Sequence, residues 1–435
     1  MEFSTTESVQ KRGLKSWLST LDHQAPSSSN TPSTAIAFQR WFKFKEAFAP
    51  NLVLDCIGQM DFRPKTCLDP FGGCGTTGLT CQFAGISPTL IEVNPFIADL
   101  AESKLATYDI DKLQDDYLTL RRAAERFGGV APTYLAESSY PTTLREPGER
   151  NRWVFSREVF DRITTYSQLI AEIEDDCNRR LFRVLLGSVL VEASNVVVNG
   201  KGRKYRNNWK HRQKLPDDVD ALLDQAFLNA LADLQRHPNR PERRYKVLRG
   251  SCLDRIQAAE VADFSIFSPP YPNSFDYTDI YNLELWMLGY LRSRDDNLQL
   301  RRATLRSHVQ VAMESQRRVV TTKTLDIVHS ELDEKRSQLW DARIPSMIQG
   351  YFSDMSELLA LMQSKITPGG DIFMVVGDSC YAGTAIPVGT ILGEVAVTHG
   401  YEVKDIRVLR QMRKSAQQGG AFTLAETLVS LKRPK

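Results

Sequence analysis

The twelve residues from Cys67 to Gly78, CLDPFGGCGTTG, leave little choice of architecture. They follow the β-rich run KTCLD and open a helical pattern. Gly73 and Gly75 lack Cβ, which permits positive φ and close approach of a ligand to the backbone, and Thr76 and Thr77 suit the caps of the following helix. The next β-rich run, SPTLIEV, brings Glu92 to its end, where an acid accepts two hydrogen bonds from the hydroxyls of a ribose. Gly73, Gly75 and Gly78 satisfy the spacing of a dinucleotide turn, so NAD is one reading. Asp69, at the tip of the first strand, repels a pyrophosphate and suits an ammonium group. S-adenosylmethionine has that ammonium, a ribose and no phosphate, and the acid favours it.

Strand and helix runs alternate from Lys65, as βαβ units and a parallel sheet require. Further strand runs are YKVLR, DFSIF, DIFMVV, YEVKDIRVL and AETLVSL. The last two leave no room for a helix between them and form an antiparallel pair. The fold expected is α/β, a doubly wound, seven-stranded, mostly parallel sheet with a closing antiparallel strand and two helical insertions. Residues 1–35, rich in Ser, Pro and Thr toward their end, read as a flexible lead-in, with structure beginning after them. The core then occupies 36–107, 241–290 and 346–435, interrupted by helical segments at 108–240 and 291–345. LFRVLLGSVLVEASNVVV, from Leu181, is charged at Arg183 and Glu192 and reads as a buried helix rather than a membrane span.

A net charge of +2 over 435 residues selects neither nucleic acid nor membrane as partner, so electrostatic arguments must be local. The seven cysteines include no C-x-x-C pair and the six histidines do not cluster with them. That pattern indicates a reduced, cytoplasmic chain without a zinc site, and the first residues lack the order of a signal peptide.

In DFSIFSPPY the apolar strand run meets two prolines, which withhold backbone donors and fix φ. The result is a rigid elbow with the Ser268 hydroxyl on one side and the Tyr271 ring on the other. Together, LDPFGGCGTT and SPPY resemble the two motifs of the S-adenosylmethionine-dependent DNA amino-methyltransferases, whose catalytic motif is [DNS]-P-P-[YFW]; the serine form is closest to the N4-cytosine branch. RWFKFKEAFAPNLVLDCI (Arg40–Ile57) and TPGGDIFMVVGDS (Thr367–Ser379) are similar to further segments of that family. The resemblance implies a Rossmann-like class I methyltransferase fold and S-adenosylmethionine as cofactor. It assigns the cofactor to Asp69, Pro70, Phe71, Gly73, Gly75, Thr76, Thr77, Glu92 and Asn94, and catalysis to Ser268, Pro269, Pro270 and Tyr271. Ser268 Oγ and the Pro269 carbonyl would accept the two protons of an exocyclic amine, and Tyr271 would stack on the flipped base. Where the family has Gly-Asp to contact adenine, this chain has Gly250-Ser251, with Asp254 or Ser251 as substitutes. No Pro-Cys dipeptide is present, as a 5-carbon cytosine methylase would need.

The same resemblance implies double-stranded DNA as substrate and a cognate restriction endonuclease as partner, with no metal. NGKGRKYRNNWKHRQK carries Lys201, Arg203, Lys204, Arg206, Lys210, Arg212 and Lys214 without an acid, interleaved with Tyr205 and Trp209, and is expected to grip phosphates. The basic stretches LRRATLRSHVQ and ESQRRVVTTKT are candidates for reading sequence. N6-adenine methylation, N2 methylation of RNA guanine, and a nucleic-acid-binding module without catalysis are the alternative readings.

Overall fold

The computed structural model describes residues 12–21, 26–30, 33, 35–126, 140–199, 202–211, 213–310, 319–412 and 424–435. In chain order the strands are β1 (Thr66–Asp69), β2 (Ser87–Glu92), β3 (Val196–Asn199), β4 (Gly202–Tyr205), β5 (Lys246–Arg249), β6 (Ala262–Phe267), β7 (Ile366–Gly377), β8 (Ser379–Tyr381), β9 (Thr384–Ile386), β10 (Glu402–Met412) and β11 (Leu424–Lys432). Seven of these form one sheet in the order β10-β11-β7-β6-β1-β2-β5. The pairs β5–β2, β2–β1, β1–β6 and β6–β7 are parallel, whereas β11 is antiparallel to both of its neighbours, β7 and β10. This is the Rossmann-like, doubly wound sheet, and every strand run expected from the sequence lies in it. The antiparallel strand is inserted rather than marginal. The helix Val388–Thr398 carries the chain from β7 over to β10 and leaves one gap between them, which β11 fills by turning back from β10.

Alternation along the strands sends side chains to both faces. Ile372, Met374 and Val376 of β7 pack with the helices Ile344–Met362 and Val388–Thr398; Phe373 and Val375 pack with Leu52 and Val53 of the helix Pro50–Gly58. Each such fully buried side chain stabilises the fold by about 1.5–3 kcal/mol. Both faces being covered explains why the strands read as continuous apolar runs.

The first insertion is a helical layer of Ile110–Arg126, Arg157–Ala171, Asp176–Ala193 and Pro216–Arg236. Tyr117 stacks on Phe227 with ring centroids 3.7 Å apart, and Asp220 ties two helices by accepting from Arg162 at 2.8 and 2.6 Å and from the Tyr166 hydroxyl at 2.7 Å. The run from Leu181, expected to be helix throughout, is helical only to Ala193 and then forms β3, paired with β4 as a hairpin. Ser194 breaks the helix, its Oγ accepting from Val196 N–H at 3.1 Å, and the β-branched Val196, Val197 and Val198 favour the extended chain beyond it. None of the described helices is long and apolar enough to cross a membrane.

Part of the lead-in is also ordered. Trp17 is 1% exposed, stacks on Phe83 at 4.4 Å and donates Nε1–H to the Ala37 carbonyl at 3.0 Å. A large ring with a satisfied N–H anchors a segment that composition alone marks as flexible. Beyond it, the buried Asp233 accepts from the Phe38 N–H at 2.8 Å, from Trp41 Nε1 at 3.0 Å and from Arg40, binding the segment ahead of the core to the helix Pro216–Arg236.

Candidate active site

Parallel pairing of β1 with β2 aligns Asp69 with Leu90 and brings Asp69 and Glu92 out at the carboxyl edge of the sheet. Ligands bind there in open α/β sheets. Asp69 is 2% exposed and its Oδ1 accepts from the Phe71 N–H at 2.9 Å. Glu92 clamps the turn: Oε2 accepts from the Gly73 N–H and Oε1 from the Asn94 N–H, both at 2.8 Å. Burial pushes each carboxyl up to about 7, with the charge of Glu92 adding to the rise at Asp69. Asn94 Oδ1 caps the helix Pro95–Leu105 through the N–H groups of Phe96 and Ile97, at 3.0 and 3.3 Å.

Gly73 and Gly75 have φ of +49° and +80°. A Cβ on Gly75 would stand 3.0 Å from Ala101 Cα, so the turn is also a point of close packing. Gly75 itself is the N-cap of the helix Thr76–Phe83, and no side chain caps that helix. The capping role expected of Thr76 and Thr77 is therefore corrected: the left-handed glycine takes the cap position, and Thr76 Oγ1 accepts from Gln39 Nε2 at 3.3 Å. Behind the turn the fully buried Lys104 donates to Gln39 Oε1 at 2.9 Å and to the Cys74 carbonyl at 2.8 Å. Burial draws that amine below its usual range.

The second wall is the elbow. Phe264, Ile266 and Phe267 are fully buried, and the chain leaves β6 at Ser268. Ser268 Oγ donates to Tyr271 Oη at 3.4 Å, and Tyr271 Oη donates to Glu426 Oε1 on β11 at 2.8 Å. Burial, followed by the charge of Glu426, holds the Tyr271 phenol well above its usual range. The Pro272 carbonyl accepts the Tyr381 hydroxyl at 3.1 Å and pins the elbow to the β8–β9 hairpin.

One cavity of about 420 Å³ is lined by Asp69, Pro70, Phe71, Gly73, Thr76, Thr77, Glu92 and Asn94 together with Ser268, Pro269, Pro270 and Tyr271. Gly75 stands behind this wall. Ser251 lines it and Asp254 does not. Residues not singled out from the sequence also line it: Glu46, Tyr277, Tyr281, His308, Arg410 and Glu426. The Tyr281 ring stacks on Phe44 at 5.3 Å, and its hydroxyl donates to Glu46, whose carboxyl burial raises.

The basic run divides. Lys201 and Arg212 lie outside the described residues. Lys204 and Lys210 are exposed and Arg203 is partly exposed. Arg206 turns inward: Nε donates to the Ser194 carbonyl at 3.1 Å and Nη2 to the Val191 carbonyl at 2.9 Å. Its expected phosphate contact is thereby corrected, because the carbonyls at the end of the helix Asp176–Ala193 hold the guanidinium. Tyr205 and Trp209 pack on each other at 4.9 Å, and Trp209 meets Trp153 edge-on at 4.9 Å, so these rings build the hairpin.

No family model matches the chain. It is 25% identical over 441 residues to the type II methyltransferase M.BsoBI of Geobacillus stearothermophilus, across 89% of this chain and 83% of that protein. To the type II methyltransferase M.AvaI of Anabaena variabilis it is 27% identical over 425 residues, across 88% and 83%. Among solved structures, TrmN from Thermus thermophilus overlaps with a TM-score of 0.28 at 10% identity, over 88% of this chain and 48% of that one. The rRNA methyltransferase aviRa from Streptomyces viridochromogenes gives 0.29 at 10% identity, over 89% and 86%. Overlaps this loose leave the fold to be read from the strand order itself.

Proposed function

We propose that this chain is an S-adenosylmethionine-dependent DNA methyltransferase of a restriction-modification system that methylates the exocyclic N4 of cytosine. One observation carries the reading: the glycine turn with its two acids and the Ser-Pro-Pro-Tyr elbow line the same cavity. Similarity to type II methyltransferases over most of the chain supports it.

The residues present fit the cofactor. Glu92 offers a carboxylate to a ribose, Asp69 an anion to an ammonium group, and the bend at Gly73 an open backbone. When bound, S-adenosylmethionine supplies the electrophilic methyl group. On the other wall, Ser268 Oγ and the Pro269 carbonyl accept hydrogen bonds from the two protons of the amine and aim its lone pair, while the proline rings fix that carbonyl. An amine conjugated to its ring is a poor nucleophile, so orientation is what the site has to provide. Turning the base out of a duplex costs a few kcal/mol. Stacking on the Tyr271 ring, worth about 1–3 kcal/mol, offsets much of this. Phosphate contacts fall to Arg203, Lys204 and Lys210 of the hairpin region.

Expression in a bacterial host free of DNA methylation, followed by single-molecule sequencing, tests the assignment. N4-methylcytosine at a fixed motif is expected; N6-methyladenine would move the target to the adenine branch, and unmodified DNA would remove the activity.

A further inference from the structure

Behind the elbow, two hydroxyls and a carboxylate stand in line. Ser268 Oγ donates to Tyr271 Oη at 3.4 Å, Tyr271 Oη donates to Glu426 Oε1 at 2.8 Å, and Arg410 donates to both oxygens of Glu426, at 2.6 and 3.2 Å. All four residues line the cavity, and Glu426 is 3% exposed. The direction of donation follows from chemistry. A carboxylate in an ion pair offers acceptor sites only, so Tyr271 commits its single hydrogen to Glu426. Tyr271 Oη then has lone pairs to offer and takes the hydrogen of Ser268. Ser268 Oγ, its hydrogen engaged, presents lone pairs to the cavity, which is the polarity an amine donor requires.

We infer that Glu426 sets the polarity of this line and receives the proton released when the amine is methylated, with the Tyr271 hydroxyl as carrier. The inference rests on the amine-methylation reading of the elbow. Methylation turns the nitrogen lone pair into the new N–C bond and leaves a positive charge on nitrogen. An N–H bond then breaks, and its electron pair stays on nitrogen. Ser268 Oγ gains the proton as its own passes to Tyr271 Oη, and the Tyr271 proton passes to Glu426 Oε1. Serine and tyrosine end neutral as they began, the positive charge on the base and the negative charge on the carboxylate both vanish, and Glu426 later yields its proton to solvent. The 3.4 Å separation between the hydroxyls is of the kind that tightens when substrate loads a site.

Single-turnover methyl transfer to a duplex carrying the target motif tests this with the full chain. Glu426→Gln keeps the shape but cannot take a proton as a carboxylate does, and Tyr271→Phe keeps the ring but breaks the line. Each is expected to slow transfer by about 10²-fold, with S-adenosylmethionine affinity by calorimetry unchanged. Because Glu426 acts through Tyr271, the double variant should be no slower than Tyr271→Phe alone. A readout independent of turnover is the ¹³Cζ resonance of Tyr271, which should move in Glu426→Gln as the anionic acceptor is lost. Wild-type speed in Glu426→Gln, or a double variant slowed by the product of the single effects, would overturn the inference. Where Glu426→Gln loosens folding through Arg410, Tyr271→Phe decides alone: wild-type speed there ends the relay. Wild-type protein that modifies no amine fails the underlying reading instead, before any variant is compared.

Discussion

Asp69 and Glu92 both line the cavity at the carboxyl edge of the sheet, and that environment dictates how they titrate. Burial lifts them to about 7 from 3.8 and 4.5. The folded chain therefore holds protons that the unfolded chain has already lost, and stability from these groups is present at low pH and falls as pH rises from 3.8 (Asp69) and 4.5 (Glu92) to about 7. Calorimetric unfolding should show a lower midpoint at about pH 7.5 than at about pH 5.5, with the difference reduced in Asp69→Asn and Glu92→Gln. Cofactor binding runs the other way, since an ammonium group and ribose hydroxyls need the ionised acids: affinity for S-adenosylmethionine should rise over the same range, and Glu92→Gln should weaken it by about tenfold. At Gly75, with φ of +80° and Ala101 Cα in the way, alanine should cost about 1–3 kcal/mol, read from denaturant unfolding. These residues were legible in the sequence because their roles are local: a glycine bends its own backbone, and an acid follows its own strand. Glu426 and Arg410 carried no such signal. Their place in the cavity comes from two strands, β10 and β11, that follow β6 far along the chain, and no neighbouring residue marks them.

Among the elements, the central strands of the main sheet could be read as short continuous apolar runs because burial on both faces enforces them. The β3–β4 hairpin could not: four residues a side, it sits between a long apolar helix and a basic run, and its valines read as a continuation of that helix. The hairpin separates two classes of cation. Replacing Arg203, Lys204 and Lys210 with alanine should flatten the salt dependence of duplex binding by about 0.9 in log–log slope for each phosphate left without its cation. Arg206→Ala should leave that slope unchanged and destabilise the chain by about 1 kcal/mol, because it removes hydrogen bonds from the carbonyls of Val191 and Ser194. Filter binding across a salt series and thermal unfolding separate the two outcomes. In the sequence all these cations have equal standing; only the packing shows which of them face solvent.

Taken as a whole, the molecule joins its insertion to its core through a few buried polar hubs, of which Asp233 is the clearest. It satisfies two backbone or indole N–H groups and the Arg40 guanidinium, so Asp233→Ala should cost about 3 kcal/mol and lower the unfolding midpoint. It should also weaken cofactor binding, since the segment it anchors runs on through Phe44 and Glu46 to the cavity. Composition missed the docking of Trp17, because one buried indole outweighs a polar neighbourhood. The cavity draws on residues from Ser28 to Glu426, and Tyr271 meets Glu426 across 155 positions of chain. A ribosome adding ~5–20 residues per second delivers Glu426 roughly 8–30 s after Tyr271. During that interval the growing polypeptide has its glycine bend and its prolines but not the carboxylate behind them, so the cavity is walled in full only once synthesis has passed β11.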